Sequence, residues 1–294
     1  MRERKPQAEK YLQSKRSNHM KARLILFSVL VTGLLLTAVF AHWLCPYDPN
    51  QQNLDMALQA PSLDHLLGTD RFGRDMLSRV IMGSRTSILS ALVLVGIISV
   101  AGSMAGVVCG CCGKAADTVI MGIADICLAF PGLVLALAVA AVLGGGVHNA
   151  VLALAAVSWP KYARLARSQT LAVKHSDYMA AAQLAGDTRR QLIFRHILPN
   201  IAGQILVTAM LDVGTMMMEI AALSFLGLGA KAPTAEWGSM MSEGRSMLQT
   251  YPWVVLTPGI GIFLAVALFN LLGDAVRDYL DPKTIQREQE ETVE

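Results

Sequence analysis

The sequence predicts an all-α integral membrane protein with six transmembrane helices, and three observations carry that expectation. Of the 294 residues, 53% are hydrophobic and only 16% charged, whereas soluble domains carry about 25% charged residues. The apolar residues gather into runs approaching the roughly 20 helical residues needed to cross a hydrocarbon core. Lysine and arginine are dense in some gaps between runs and sparse in others, the bias that orients a chain in a bilayer.

The first run, Ala22 to Leu44, follows a tail from Met1 to Arg23 that holds eight of the 25 basic residues. Its apolar stretch exceeds the roughly 7 to 15 residues of a secretory h-region, so it is read as an uncleaved first span. The bulky His42-Trp43 before Cys45 argues against a lipoprotein cleavage site. A long loop from Cys45 to Thr86 opens with the turn-forming Cys45-Pro46-Tyr47-Asp48-Pro49. The second run, Ser87 to Cys111, carries Gly102, Gly106 and Gly110 on one face, where a neighbouring backbone can approach closely. The third run spans Thr118 to Leu143, the fourth Asn149 to Leu165, the fifth Ile201 to Leu223 and the sixth Trp253 to Leu272. Pro131, Pro160 and Pro258 each remove a backbone donor inside a run and kink it. The expected organisation is a basic tail over 1–23, the first span and its loop over 24–84, a main helical domain over 85–275 and a second tail over 276–294.

Orientation follows from the cations. Lys161 to Arg195 holds seven, whereas Pro46 to Arg85 has four offset by five aspartates, and the loop after the fifth run has only Lys231 and Arg245. Basic segments stay inside, so both termini are expected in the cytoplasm. The net charge of +3 averages opposed local biases and makes no case for nucleic acid. The N-terminal tail suits anionic lipid.

Asp125, Asp212 and Glu219 fall within runs, where ionisable groups face the bundle interior or water. They either line a substrate path or make interhelical hydrogen bonds. Cys109, Cys111 and Cys112 lack the paired spacing of a zinc site and, with Cys45 and Cys127, read as small packing residues. Met210, Met216, Met217 and Met218 fan around their helix and read as apolar filler rather than a soft-metal site. His42, His65 and His148 form no ligand cluster, so no metal site is expected. Gly113-Lys114-Ala115 lacks the glycine spacing and hydroxyl of a phosphate-binding loop, so the chain is not expected to hydrolyse ATP itself.

The segment from Ser176 to Asn200 is the most informative. Asp177 is expected to cap a short helix through Ala180, Ala181 and Ala182, and Gly186 ends it. Thr188 and Gln191 then form a capping box for a second helix with an apolar face of Leu192, Ile193 and Ile197, stopped at Pro199. Arg189, Arg190 and Arg195 leave its remaining surface basic. The segment reads as a docking element for a protein partner, with an interfacial lipid helix as the alternative.

Ala180-Ala181-Ala182-x-x-x-Gly186, followed by His196-Ile197-Leu198-Pro199-Asn200, resembles the EAA loop of ABC importer permeases, although Ala180 stands where that motif is acidic. The resemblance implies a type I permease bundle in the cell inner membrane, in which this loop docks into an ATPase subunit. It implies coupling roles for Gly186, Asp187, Arg189, Arg190, Ile197, Leu198 and Pro199, with Asp187 standing in for the missing acid. Leu67-Gly68-Thr69-Asp70 with Gly73-Arg74-Asp75 and Arg79, Ser224-Phe225-Leu226-Gly227-Leu228-Gly229, Glu236-Trp237-Gly238 and Asn270-Leu271-Leu272-Gly273-Asp274 resemble the second permease of peptide and nickel importers. The implied partners are a homologous permease in a heterodimer, two cytoplasmic ATPases that bind ATP and magnesium, and an extracytoplasmic solute-binding protein. Leu211-Asp212-Val213-Gly214 and Ala232-Pro233-Thr234-Ala235 resemble nickel permeases more than dipeptide ones, so nickel, free or chelated, is the expected cargo and peptides the alternative. An ion-coupled secondary transporter would need repeats and an ion site that the sequence does not display.

Overall fold

A computed structural model describes residues 4–280, with side chains described from Met20 onward. Residues 1–3 and 281–294, the ends of the two expected tails, lie outside the described residues. The described chain is helical apart from its connections. In order the helices are α1 (Arg4–Val39), α2 (Ala41–Leu44), α3 (Met76–Cys111), α4 (Lys114–Leu128), α5 (Gly132–Val142), α6 (Val147–Lys174), α7 (Asp177–Leu184), α8 (Arg189–Gln191), α9 (Leu198–Phe225), α10 (Trp237–Gly244) and α11 (Trp253–Leu280).

Each of the six apolar runs lies within this helical framework. Four helical stretches are long and apolar enough to cross a membrane, Met20–Val39, Met76–Cys111, Arg189–Phe225 and Trp253–Leu280, and the pair α4 and α5 makes a fifth if counted as one broken span. The 28 residues of α6 reach about 42 Å at 1.5 Å per residue. Lys161, Arg164 and Arg167 in its second half dilute the apolar character that marks the others.

The boundaries differ from expectation where local chemistry overrides hydropathy. The second span begins at Met76 rather than Ser87, because the Asp75 carboxylate accepts the Ser78 amide at 2.7 Å and caps the helix there. The third run is not one kinked helix but two, bent by 93° at Ala129-Phe130-Pro131. Pro131 lacks a donor and sits at the N-cap of α5, where none is needed. Pro160 and Pro258 remain inside α6 and α11.

Helix α3 is the centre of the bundle, packing on α6 along its length and also on α1, α9 and α11. The glycine ridge makes the α6 contact close. A Cβ on Gly102 would fall 2.5 Å from the Trp159 carbonyl oxygen, one on Gly106 2.3 Å from that of Ala163, and one on Gly110 2.5 Å from Thr170 Cγ2. Small residues on α6 complete the fit, with Ala163, Ala166 and Thr170 fully buried. The apolar core continues through Ile88, Leu94, Ile98, Leu154, Met217, Ile220 and Trp237.

The long loop is held by buried charge. Arg74 Nε donates to Asp70 Oδ2 at 2.6 Å and its Nη2 to Glu243 Oε2 at 3.0 Å. Arg79 lies 3.6 Å from the same Asp70 oxygen and donates to the Pro49 and Pro233 carbonyls. Both guanidinium groups are buried, and such groups are retained only where they are paired and hydrogen-bonded. Glu236 caps α10 by accepting the Gly238 and Ser239 amides, and also accepts from Ser87 Oγ of α3 at 3.2 Å. Gly73, at φ 70°, passes so close to Asn53 that a Cβ would overlap its carbonyl oxygen.

Candidate functional site

Two features converge on the end of the bundle where α6 finishes and α9 begins: a bent segment that projects from it, and a seam of charge that runs from it toward the middle of the bundle.

The bent segment is built by local hydrogen bonds. The Gly186 amide donates to the Gln183 carbonyl and the Asp187 amide to that of Ala182, a Schellman motif that ends α7. Gly186 takes φ 91°, the left-handed conformation this turn requires. A Cβ there would meet nothing within 4 Å, so the requirement for glycine inside this chain is one of backbone conformation alone. The capping box at Thr188 is complete: its hydroxyl accepts the Gln191 amide, and Gln191 Oε1 accepts the Thr188 amide at 2.7 Å.

Two expectations are corrected. The N-cap of α7 is Ser176, without a side-chain cap bond, and Asp177 is the first helical residue. Pro199 does not stop the second helix, which runs continuously into α9 from Arg189 to Phe225. The turn before the proline, Leu192–Ile197, is π-helical, and the widened ladder leaves room for a ring that would clash in a regular helix. Asp187 follows directly on the bend. Its Oδ2 lies 2.8 Å from His196 Nε2, tying the bend to the following helix.

This segment is anchored on one side and bare on the other. Met179 and Ile197 are buried with Val107, Ala166 and Ile201, so the cluster joins it to α3, α6 and α9. Leu192, Ile193 and Leu198 pack against that cluster. The outer side presents Ala180, Ala181, Arg189, Arg190 and Pro199. It also presents Leu184 at 90% exposure and Phe194 at 70%, neither of which the sequence had singled out.

The seam consists of three ion pairs on α6. Lys161 Nζ lies 2.5 Å from Asp212 Oδ1 of α9, Arg164 Nη2 lies 2.5 Å from Asp125 Oδ1 of α4, and Arg167 pairs with Asp117 of α4 through both its Nε and Nη2. Lys161 and Asp212 lie near the middle of α6 and α9, so their pair is set midway along the bundle. Asp125 and Arg164 are both largely exposed at the edge of the chain. Glu219 is half-buried and has no ion pair or hydrogen bond among the described residues. Sequence reasoning found the acids but missed their cationic partners, whose spacing of three along α6 was the available signal.

The polar residues of α9 supply a second signal. Asn200, Gln204, Thr208, Asp212, Thr215 and Glu219 recur at steps of three or four, which places them on one stripe of an otherwise apolar helix. Only Ser224 falls off it. Among the described residues no group of three or more His, Cys, Asp or Glu side chains is placed to hold a metal ion, and all five cysteines are free.

Residues 102–286 match the family described as binding-protein-dependent transport system inner membrane component, and residues 23–61 match the N-terminal TM domain of oligopeptide transport permease C. The chain is 45% identical over 256 residues to the probable D,D-dipeptide transport system permease protein DdpC of Escherichia coli (strain K12), covering 87% of this chain and 86% of that one. It is 42% identical over 269 residues to the glutathione transport system permease protein GsiD of Escherichia coli O6:K15:H31, covering 91% and 88%. Among solved structures it resembles an inward-facing form of the MetNI methionine ABC transporter, with a TM-score of 0.57 at 18% identity over 69% of this chain and 97% of that one.

Proposed function

The chain belongs to the family of binding-protein-dependent transport system inner membrane components and is a multi-pass permease subunit of an ABC importer, and from that premise we propose that it carries short peptides into the cell by alternating access. The observation that carries the coupling role is the bend at Gly186, anchored inward by Met179 and Ile197 and bare outward at Leu184 and Phe194. A rigid bend with two exposed apolar side chains amid arginines fits a groove on a partner ATPase better than a lipid surface, which requires no bend.

In this reading the basic end lies in the cytoplasm, as the distribution of lysine and arginine favours. Two ATPases bind ATP and magnesium and close, each pressing on the bend of one permease. The continuous helix from Arg189 to Phe225 carries that displacement to the middle of the bundle. A homologous permease completes the pathway, and an extracytoplasmic binding protein delivers the cargo. Of the three acids, Glu219 lines the path on this side, whereas Asp212 is buried behind Lys161 and Asp125 pairs with Arg164 at the edge of the chain.

For the cargo, relatives named for a D,D-dipeptide and for glutathione favour peptides over nickel. The nickel expectation rested on two short motifs around Leu211 and Ala232, which are outweighed by similarity over most of the chain. Uptake of a labelled dipeptide and of labelled nickel in cells with and without this chain separates the cargoes. Loss of peptide uptake alone is the expected result, and loss of nickel uptake alone would overturn the peptide assignment.

A further inference from the structure

The polar stripe of α9 and the cations of α6 place opposite charges at different levels of the bundle. Asp212 sits midway along the bundle beside Lys161, whose side chain remains 56% exposed despite the pair. An ammonium group has three donors, so Lys161 can hold a second anion without releasing Asp212. The Asp212 carboxylate also faces the buried Tyr162 hydroxyl. Seven residues further toward the loop end, Glu219 lies on the same face of the helix, half-buried and unpaired among the described residues. An unpaired carboxylate inside a span is costly unless it faces water or a cationic ligand.

We infer that Glu219 and Lys161 are the two ends of a recognition site for a zwitterionic short peptide, Glu219 receiving the ammonium group and Lys161 the carboxylate. This rests on the peptide-importer reading above. Seven helical residues separate the two levels by about 10 Å. An extended peptide covers about 3.3 to 3.6 Å per residue, so a dipeptide with a hydrogen bond of about 2.9 Å at each end comes near that separation, whereas a tripeptide overshoots it. The polarity fixes direction as well: the cargo carboxylate leads inward past Thr215 to Lys161, and Arg164, one turn further in, is the next cation to meet it. Exposed Thr215, between the two levels on the stripe, offers a hydroxyl to the peptide backbone. Neither terminus needs a metal, and a cargo lacking the ammonium group forfeits the outer contact.

The test uses the complete importer, this chain with its permease partner, ATPases and binding protein, reconstituted in liposomes with labelled dialanine as probe. The expected result is ATP-driven uptake that falls at least tenfold in Glu219→Gln and returns to at least a third of the original rate in Glu219→Asp, with equal amounts of assembled complex. The binding protein is unaltered throughout, so its own selectivity cannot produce the difference. Normal uptake by Glu219→Gln, equal loss in Glu219→Asp, or failure of either variant to assemble overturns this inference alone. Failure of the unaltered chain to carry dialanine overturns the peptide reading and this site with it.

Discussion

Alanine at Gly106 is expected to push α3 and α6 apart, and the cost follows from the geometry. The new Cβ would lie 2.3 Å from the Ala163 carbonyl oxygen and 2.8 Å from both Ala166 Cβ and the Arg167 backbone nitrogen. Ordinary contact begins at 3.4 Å, so the helices must separate by about 1 Å or deform, since the nearest neighbours are backbone and cannot rotate away. Overpacking of this kind costs about 1 to 3 kcal/mol. Against it stands the gain in helix propensity from glycine to alanine, about 1 kcal/mol. Gly96 on the same helix isolates the second effect, because a Cβ there meets nothing within 4 Å. Gly96→Ala is therefore expected to be neutral or stabilising and Gly106→Ala destabilising, with a difference of about 1 to 3 kcal/mol. Thermal unfolding of the two purified variants in one detergent measures that difference. Equal midpoints would refute the claim that the glycine ridge sets the α3 to α6 distance.

Gly186→Ala meets no clash, so its cost is the left-handed backbone alone, about 1 to 2 kcal/mol; uptake is expected to fall while the chain still inserts, and normal uptake would remove Gly186 from the coupling role. Lys161→Met strands the buried Asp212 carboxylate and is expected to destabilise by about 2 to 3 kcal/mol, below the 3 to 5 of a fully buried pair because Lys161 is half exposed. The double variant Lys161→Met with Asp212→Leu is expected to recover much of that loss in thermal unfolding, and additive losses would show that the two residues do not act as a pair. Arg79→Met frees the Pro49 and Pro233 carbonyls and leaves the Asp70 and Glu243 carboxylates with Arg74 alone. It is expected to make the 46–75 loop cleavable by protease added outside, and unchanged resistance would mean that the loop is held by other contacts.

The fold was legible where one physical demand dominates. Burial in lipid requires long apolar helices, and the glycines of α3 announce a close contact because nothing else explains three of them at steps of four. The bend at Gly186 and the Thr188 capping box were legible for the same reason: their chemistry is local. Reading failed where distant residues decide. Nothing near Ser87 reveals that the helix starts at Met76, because the cap at Asp75 sits in a stretch that reads as polar loop. The break at Pro131 was visible as a kink but not as a 93° bend, since the angle is set by what packs on either side. The pairing of Asp125 with Arg164 and of Asp212 with Lys161 required knowing which helices meet. The exposed Leu184 and Phe194 were hidden in plain composition, because only the fold shows which apolar side chains of a short helix lack a partner.

The most direct test of the central claim is ATP-driven accumulation of a labelled dipeptide in liposomes that contain the full importer, compared with the same assembly carrying Leu184→Asp and Phe194→Asp. Accumulation that requires ATP and is abolished by the paired substitutions, with the altered chain still inserted but no longer retaining its ATPases, is the expected result. Accumulation that persists without ATP on an imposed ion gradient, or that survives both substitutions, would contradict a permease driven through this bend.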